Sequence, residues 1–289
     1  MAIWLGSTGS DLFPGTTGID NSGDDVLRGN TGDDTIFAGD GNDRVVGGLD
    51  DGSLSSGNDE LYGEAGDDYL IGDDGNDLLD GGIGIDEAGY EKATSAVTVN
   101  LVSGTASAGA YGTDTLVGIE GIRGSAFGDT MVGDGADNFF RGLAGNDSID
   151  GGAGSDWVYY DRDWISGGVL GVTVDLGAGT ATDGFGNSDT LTSIENARGT
   201  LVDDAITGTS GDNSIEGLAG NDTLVGDLGN DRLDGGDGND RLDAGDGDDT
   251  IYGGVGDDAV LGRAGNDLLY GENGNDNIAA SDGNDTVYG

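Results

Sequence analysis

From Asp204 onward, one position recurs every nine residues to the end of the chain: Asp204, Asn213, Asp222, Asp231, Asp240, Asp249, Asp258, Asp267, Asp276 and Asp285. We call it the marker. Two residues after each marker stands an apolar side chain, from Ile206 to Val287, and four after it stands Gly or Ala. Two residues before it stands Gly, except at Val202. A nine-residue unit is too short to bury its own apolar side chain, so successive units must stack and share a core. The same spacing occurs upstream at Asp25, Asp34 and Asp43, then at Asp59, Asp68, Asp77 and Asp86, and again at Asp129, Asn138, Asp147 and Asp156. Across all three runs, no position two after a marker is polar.

The pattern predicts an all-β fold. The apolar residue and its neighbours form a short strand with one side chain inward, and the glycines turn the chain through conformations other residues adopt at a cost. Helix is disfavoured, because glycine at this density costs about 1 kcal/mol per position relative to Ala. Two units complete one coil, each giving one strand to one of two parallel sheets, with coils about 4.8 Å apart. The expected architecture is a parallel β-roll or β-solenoid of stacked calcium-binding turns, with two longer, calcium-poor coil segments.

Charge points to an ion. The chain has 57 acidic and 10 basic residues in 289, a net charge of −47, with 63 Gly and neither Cys nor His. Such a chain would ordinarily be disordered. A registered apolar position argues against disorder, and the two facts agree if bound cations cancel the repulsion. Turns two units apart lie above one another, so their carboxylates are expected to converge with freed turn carbonyls. Oxygen-only coordination of this kind suits Ca²⁺, and suits zinc, copper or Mg²⁺ poorly. The charge also excludes nucleic acid and anionic membranes as partners, and no apolar run reaches the roughly 20 residues of a membrane span. Met1 to Gly9 lacks the basic start of a signal peptide.

The period divides the chain. Residues 1–22 read as a cap with imperfect turns, Gly9 to Phe13 and Gly18 to Asp20, with Ile3, Trp4 and Leu5 covering the first. Repeat blocks span 23–90, 127–160 and 202–289. Spacers span 91–126 and 161–201, and the whole is expected to be one continuous solenoid. The step from Asp43 to Asp59 falls just short of two full units. A degenerate turn around Leu54 is expected there, with Gly52 at the marker and Asp51 as its substitute. The two spacers match at a constant offset: Val97-Thr98-Val99-Asn100-Leu101 with Val172-Thr173-Val174-Asp175-Leu176, Asp114-Thr115-Leu116 with Asp189-Thr190-Leu191, and Ile119-Glu120 with Ile194-Glu195. Each follows a Tyr, Tyr90 or Tyr160, in place of the usual Gly. Their alternation reads as strand, so they are longer calcium-free coils of the same stack rather than inserted loops.

Gly235-Gly236-Asp237-Gly238-Asn239-Asp240-Arg241-Leu242 and Gly151-Gly152-Ala153-Gly154-Ser155-Asp156-Trp157-Val158 resemble the RTX nonapeptide repeat, G-G-x-G-x-D-x-U-x with U a large apolar residue. The resemblance covers about two-thirds of the chain. It implies a calcium-binding β-roll, Ca²⁺ held between stacked turns by the markers, an extracellular location in a bacterium and type I secretion. Asn138 and Asn213 depart from Asp, which implies weaker sites, and Phe127, Ala136 and Val202 replace the turn glycine where a block restarts.

No catalytic set is present. Without His or Cys there is no Ser-His-Asp, Cys-His or His-Glu-x-x-His chemistry, and Lys92 is the sole lysine. Among 57 carboxylates an acidic pair carries no information. Trp157, Tyr159, Tyr160, Trp164 and Phe185 gather at the second spacer, where packing is favoured over a sugar platform. The expected function is non-enzymatic: an extracellular structural protein that folds on Ca²⁺ and self-assembles end to end into a filament, surface layer or matrix. The second reading is a calcium-binding secretion module of a larger secreted enzyme or adhesin.

Overall fold

The computed structural model describes residues 3–5, 9, 11–13, 23–49, 57–107, 109 and 112–289. They fall into two compact units, Met1–Gly142 and Leu143–Gly289. Each unit contains two sheets, parallel apart from a meander in one of them, and successive nonapeptides alternate between the two.

In the first unit one sheet runs Ile3–Leu5, Val26–Arg28, Arg44–Val46, Tyr69–Ile71, Glu87–Gly89, Gly121–Arg123 and Phe139–Arg141, every pairing parallel. The other begins Leu12–Phe13, Thr35–Asp40, Glu60–Ala65 and Leu78–Ile83. In the second unit the register along the last block is uniform, two nonapeptides at every step. Leu224 faces Leu242, Val260 and Ile278 in turn, and Ile215 faces Leu233, Ile251, Leu269 and Val287. This is the register that two nonapeptides per coil require.

The core is the column of residues two after the markers. Ile36, Leu61, Leu70, Leu79, Met131, Phe140, Leu224, Leu233, Leu242, Ile251, Val260 and Leu269 are fully buried. Only Ile278 and Val287, in the last coil, are not buried. Glycine two before a marker is fixed by close approach as well as by φ. At Gly274, with φ 157°, an added Cβ would lie 1.5 Å from the carbonyl oxygen of Gly256 in the coil below, so no side chain fits there.

Two expectations of the sequence meet this structure. The spacers do supply strands, though not as simple coils. In the first, Thr113–Val117 pairs in parallel with Leu78–Ile83, Thr105–Ser107 and Thr98–Asn100 fold back antiparallel, and Thr98–Asn100 pairs in parallel with Thr130–Val132. The second repeats this with Ser188–Thr192, Thr180–Thr182 and Thr173–Asp175 between Ser148–Asp150 and Ala205–Thr207. A three-strand meander thus stands in one sheet where a single strand stood, while the opposite sheet continues strand by strand. Asp51, Gly52 and Leu54 lie outside the described residues, but Ile36 pairs directly with Leu61, and Val45 with Leu70. Gly18 to Asp20 also lies outside the described residues. Asp11 behaves as a marker, its N–H donating to Asp34 Oδ1 at 2.6 Å.

Candidate metal centres

The two oxygens of a marker carboxylate have different fates. Oδ1 accepts the backbone N–H of the marker one coil earlier. In one column of the last block these bonds run Asp204 to Asp222, Asp222 to Asp240 and Asp240 to Asp258, each at 2.8 Å. Its neighbour runs Asn213 to Asp231 and Asp231 to Asp249 at 2.8 Å, then Asp249 to Asp267 and Asp267 to Asp285 at 3.1 Å. In the first unit Asp25 donates to Asp43, Asp34 to Asp59, and Asp43 to Asp68, each at 2.7 Å. Asp59 donates to Asp77 and Asp68 to Asp86, each at 2.8 Å. The marker's own C=O accepts from the next coil, as in Thr223 N–H to Asp204 O at 2.9 Å. The Asp side chain is therefore the stitch between coils, which is why it recurs without slipping.

Oδ2 is left over. At Asp34, Asp43, Asp68, Asp77, Asp86, Asp222, Asp231, Asp240, Asp249, Asp258 and Asp267 this oxygen is buried and has no hydrogen-bond donor. A buried carboxylate oxygen with no partner is strongly unfavourable and calls for a cation. The space beside it is kept open by glycine. A Cβ at Gly235 would lie 2.4 Å from Asp240 Oδ2 and 2.5 Å from the Gly253 carbonyl oxygen of the next coil. At Gly226 the corresponding distances are 2.3 Å to Asp231 Oδ2 and 2.4 Å to the Ala244 carbonyl oxygen. Each such turn offers a carboxylate oxygen and a carbonyl oxygen facing one small gap, a donor set that fits Ca²⁺.

The carboxylates form columns and do not converge. Among the described residues no three acidic side chains meet as a metal cluster. Burial, followed by the charge of the neighbouring carboxylates, drives their proton affinity up. Asp77 is pushed up to about 8, Asp59, Asp68, Asp222 and Asp231 to about 7, and Asp43, Asp86, Asp240 and Asp249 to about 6. Without a bound ion the fold therefore shifts these markers toward their protonated form.

The markers are not equivalent. Most are buried, whereas Asp276 and Asp285 are half-buried in the last coils. Asp25, Asp147 and Asp156 are buried in the same register. Four turns, those that restart a block, are closed by hydrogen bonds. Asp129 accepts the Ser125 N–H on Oδ2 at 2.6 Å and the Ser125 hydroxyl on Oδ1 at 2.7 Å. Asp204 accepts the same two groups from Thr200 at 2.6 and 2.9 Å. The Asn213 amide donates to the Glu195 carbonyl oxygen at 2.6 Å while its Oδ1 accepts the Thr209 N–H at 2.6 Å. Asn138 does likewise with Glu120 O at 3.3 Å and the Asp134 N–H at 2.8 Å. In these turns a backbone N–H, from Ser125, Thr200, Asp134 or Thr209, satisfies a side-chain oxygen of the marker that the other turns leave bare.

The spacers hold four residues that the nine-residue period missed. The N–H of Asp77 donates to Asp114 Oδ1 at 3.1 Å and that of Asp147 to Asp189 Oδ1 at 3.0 Å. The N–H groups of Asp86 and Asp156 donate to Glu120 and Glu195 at 2.9 Å. All four act as markers, and the residues two after them, Leu116, Ile122, Leu191 and Ala197, are buried. The signal was present as Asp-Thr-Leu, but the spacing hid it. The Tyr that opens each spacer faces one of these carboxylates. Tyr160 Oη donates to Asp189 Oδ2 at 3.3 Å, and Tyr90 lies against Asp114. The aromatic residues of the second spacer do not form one platform. Tyr160 is buried, Trp157 and Tyr159 flank the Arg198 guanidinium, and Trp164 is exposed.

A profile described as the RTX calcium-binding nonapeptide repeat matches residues 19–54, 55–88, 123–158, 198–233, 226–260, 234–269 and 261–289, more than half of the chain. The chain belongs to the RTX nonapeptide-repeat family. RTX repeats bind multiple Ca²⁺ ions, and the donor set described above fits that ion. The matched segments leave out the middle of both spacers, where the meanders lie. No curated protein matched the chain. Among the described residues no helix is long and apolar enough to cross a membrane.

Proposed function

We propose that this RTX chain is a non-catalytic, extracellular scaffold whose folding is driven by Ca²⁺. The observation that carries the reading is the column of buried, unpartnered Oδ2 atoms. The ligands we assign are the marker carboxylates, with Asp25, Asp59, Asp147, Asp156, Asp276 and Asp285 included by register. Asp129, Asn138, Asp204 and Asn213 are assigned no ion, because the oxygen that is bare elsewhere already accepts a backbone N–H in each of them. Extracellular calcium modules bind at roughly 10⁻⁴–10⁻³ M, so a chain of this kind stays unfolded at cytosolic calcium and folds after export, binding and folding being one process. Far-UV circular dichroism in chelator and in millimolar calcium tests this: equal β content in both contradicts it.

We also propose end-to-end assembly. Val287 is 48 % exposed although Ile215, Leu233, Ile251 and Leu269 below it in its column are buried, and its strand pairs on one side with Leu268–Asn273. Such an edge pairs with another strand, supplied by a second copy or by further sequence of the same protein. The alternative, a secretion or folding module of a larger enzyme or adhesin, uses the same edge for a different neighbour. Electron microscopy of the calcium-loaded chain separates them: ordered filaments or sheets support assembly, and monodisperse particles at high concentration support the module.

A further inference from the structure

The two spacers are repeats of one design, and each inserts strands into one sheet only. In the second unit, Ser148–Asp150 reaches Ala205–Thr207 through three strands, Ser188–Thr192, Thr180–Thr182 and Thr173–Asp175. On the opposite sheet, Trp157–Tyr159 reaches Ser214–Glu216 through Asn196–Arg198 alone. The first unit repeats this. Three strands lie between Leu78–Ile83 and Thr130–Val132, and Gly121–Arg123 alone lies between Glu87–Gly89 and Phe139–Arg141. Over the same coils, one sheet is therefore two strands longer than the other.

Strands lie about 4.8 Å apart, so the excess is about 10 Å. The meander does not absorb it by lying outside the core. Val174, Ala181 and Leu191, one on each of the three intervening strands, are buried, as are Val99, Ala106 and Leu116 in the first unit. Nor is the opposite sheet stretched to match. Across it the Asn213 amide donates to the Glu195 carbonyl oxygen at 2.6 Å, the Ser214 N–H to Asn196 Oδ1 at 2.8 Å, and Arg198 Nε to a Glu216 carboxylate oxygen at 2.6 Å. Three hydrogen-bonded strands that all face one core do not fit in the space of one, because the backbone bonds fix their spacing. The coils must instead spread apart at the meander sheet while they stay in contact at the other. The spread interior holds Tyr160, which is fully buried and donates to Asp189 on the first intervening strand. In the first unit Tyr90 lies against Asp114 in the same way.

We propose that each spacer is a wedge that turns the coils of its own unit toward the sheet without the meander. Sheets pack about 10 Å apart, so an excess of about 10 Å on one of them corresponds to a turn of roughly 50°. An uninterrupted nonapeptide array gives both sheets the same number of strands and has no such turn. The wedge needs no ion of its own, since Asp189 accepts the Asp147 N–H on Oδ1 and the Tyr160 hydroxyl on Oδ2. Repeat blocks then set the length of a stack, and wedges set its direction.

The chain has no Cys, so spin labels can be placed in pairs, and double electron–electron resonance on the full calcium-loaded chain reads the turn in the second unit. Ser148→Cys with Ala279→Cys spans the spacer on the meander sheet. Trp157→Cys with Thr286→Cys spans it on the opposite sheet. Two pairs that lie beyond the spacer, Thr207→Cys with Ala279→Cys and Ser214→Cys with Thr286→Cys, serve as controls. All four variants are first required to match the parent's circular dichroism in calcium. We expect the spanning distance on the meander sheet to exceed that on the opposite sheet by about 10 Å, the width of two strands, and the two control distances to agree. Equal spanning distances would overturn the proposal, because the meander would then arch outward over a stack that does not turn. Control distances that differ as much as the spanning ones would overturn it too, because the excess would then not arise at the spacer.

Discussion

The last repeat block and the turns that restart each block solve the same problem with different chemistry. In both, a buried marker ties one coil to the next, through Oδ1 where it is Asp and through the side-chain amide where it is Asn138 or Asn213. In the block, at Asp222, Asp231, Asp240 and Asp249, the second oxygen is bare and faces a carbonyl across a gap that only glycine leaves open. At the restarts no such oxygen is bare: Oδ2 of Asp129 and Asp204 accepts the Ser125 and Thr200 N–H, and Asn138 and Asn213 accept the Asp134 and Thr209 N–H on Oδ1 and donate their amides to Glu120 and Glu195. The difference teaches that the fold itself does not require the ion. Coils can be stacked by hydrogen bonds alone when the side chains are chosen for it, and where they are not, dependence on calcium is built in. Polar groups that are fully satisfied by neighbouring side chains rigidify a coil, whereas half-satisfied ones wait for a ligand.

The strongest way to break the comparison is to remove the ion. In chelator we expect amide protection to be lost across residues 213–289, while the meander strands Thr98–Asn100 to Val117 and Thr173–Asp175 to Thr192 exchange more slowly than the block. Uniform loss over the chain in hydrogen-exchange mass spectrometry would remove the distinction between the two regions.

A smaller effect comes from pH. The markers Asp77, Asp59, Asp222 and Asp240 are raised to between about 6 and about 8 in the metal-free fold, against about 3.9 in an unfolded chain. The folded state therefore holds more protons than the unfolded one in this window. Metal-free stability is greatest below about pH 4 and declines as pH rises through 6 to 8. In chelator, circular dichroism at pH 5 is expected to show more β structure than at pH 8. With calcium present the order reverses, because protons then compete with the ion. An unchanged spectrum between pH 5 and 8 in chelator contradicts the assigned burial.

Substitutions sharpen the comparison locally. Gly235→Ala places a methyl against Asp240 Oδ2 and the Gly253 carbonyl, and is expected to destabilise the calcium-loaded chain by roughly 2–3 kcal/mol. Its effect should vanish in chelator, where the block is already open. Thr200→Ala removes a hydroxyl that donates to Asp204 at 2.9 Å and is expected to cost about 1–2 kcal/mol. That loss should be similar with and without calcium, and denaturant titration in both conditions reads it.

Most of the fold was legible in the sequence, because its period fixes strand, turn and register together. The residues from Ile206 to Leu269 two after the markers are the core, and the two-unit register follows from them. What was not legible came from chemistry that keeps the role and changes the residue. Asp114, Glu120, Asp189 and Glu195 act as markers off the nine-residue beat. The Ser125 and Thr200 hydroxyls look like ordinary loop residues until their geometry is seen. The carboxylates were expected to converge, yet the N–H bond to Oδ1 holds each one on its own coil.

The central claim is that a bare Oδ2 marks a calcium ligand and a saturated one does not. Calcium counted per chain by native mass spectrometry for the parent, Asp240→Asn and Asp204→Asn tests it directly. Asp240→Asn is expected to lose about one ion under calcium that saturates the parent, and Asp204→Asn to keep the parent number. Equal loss in both variants, or loss in Asp204→Asn alone, contradicts the claim.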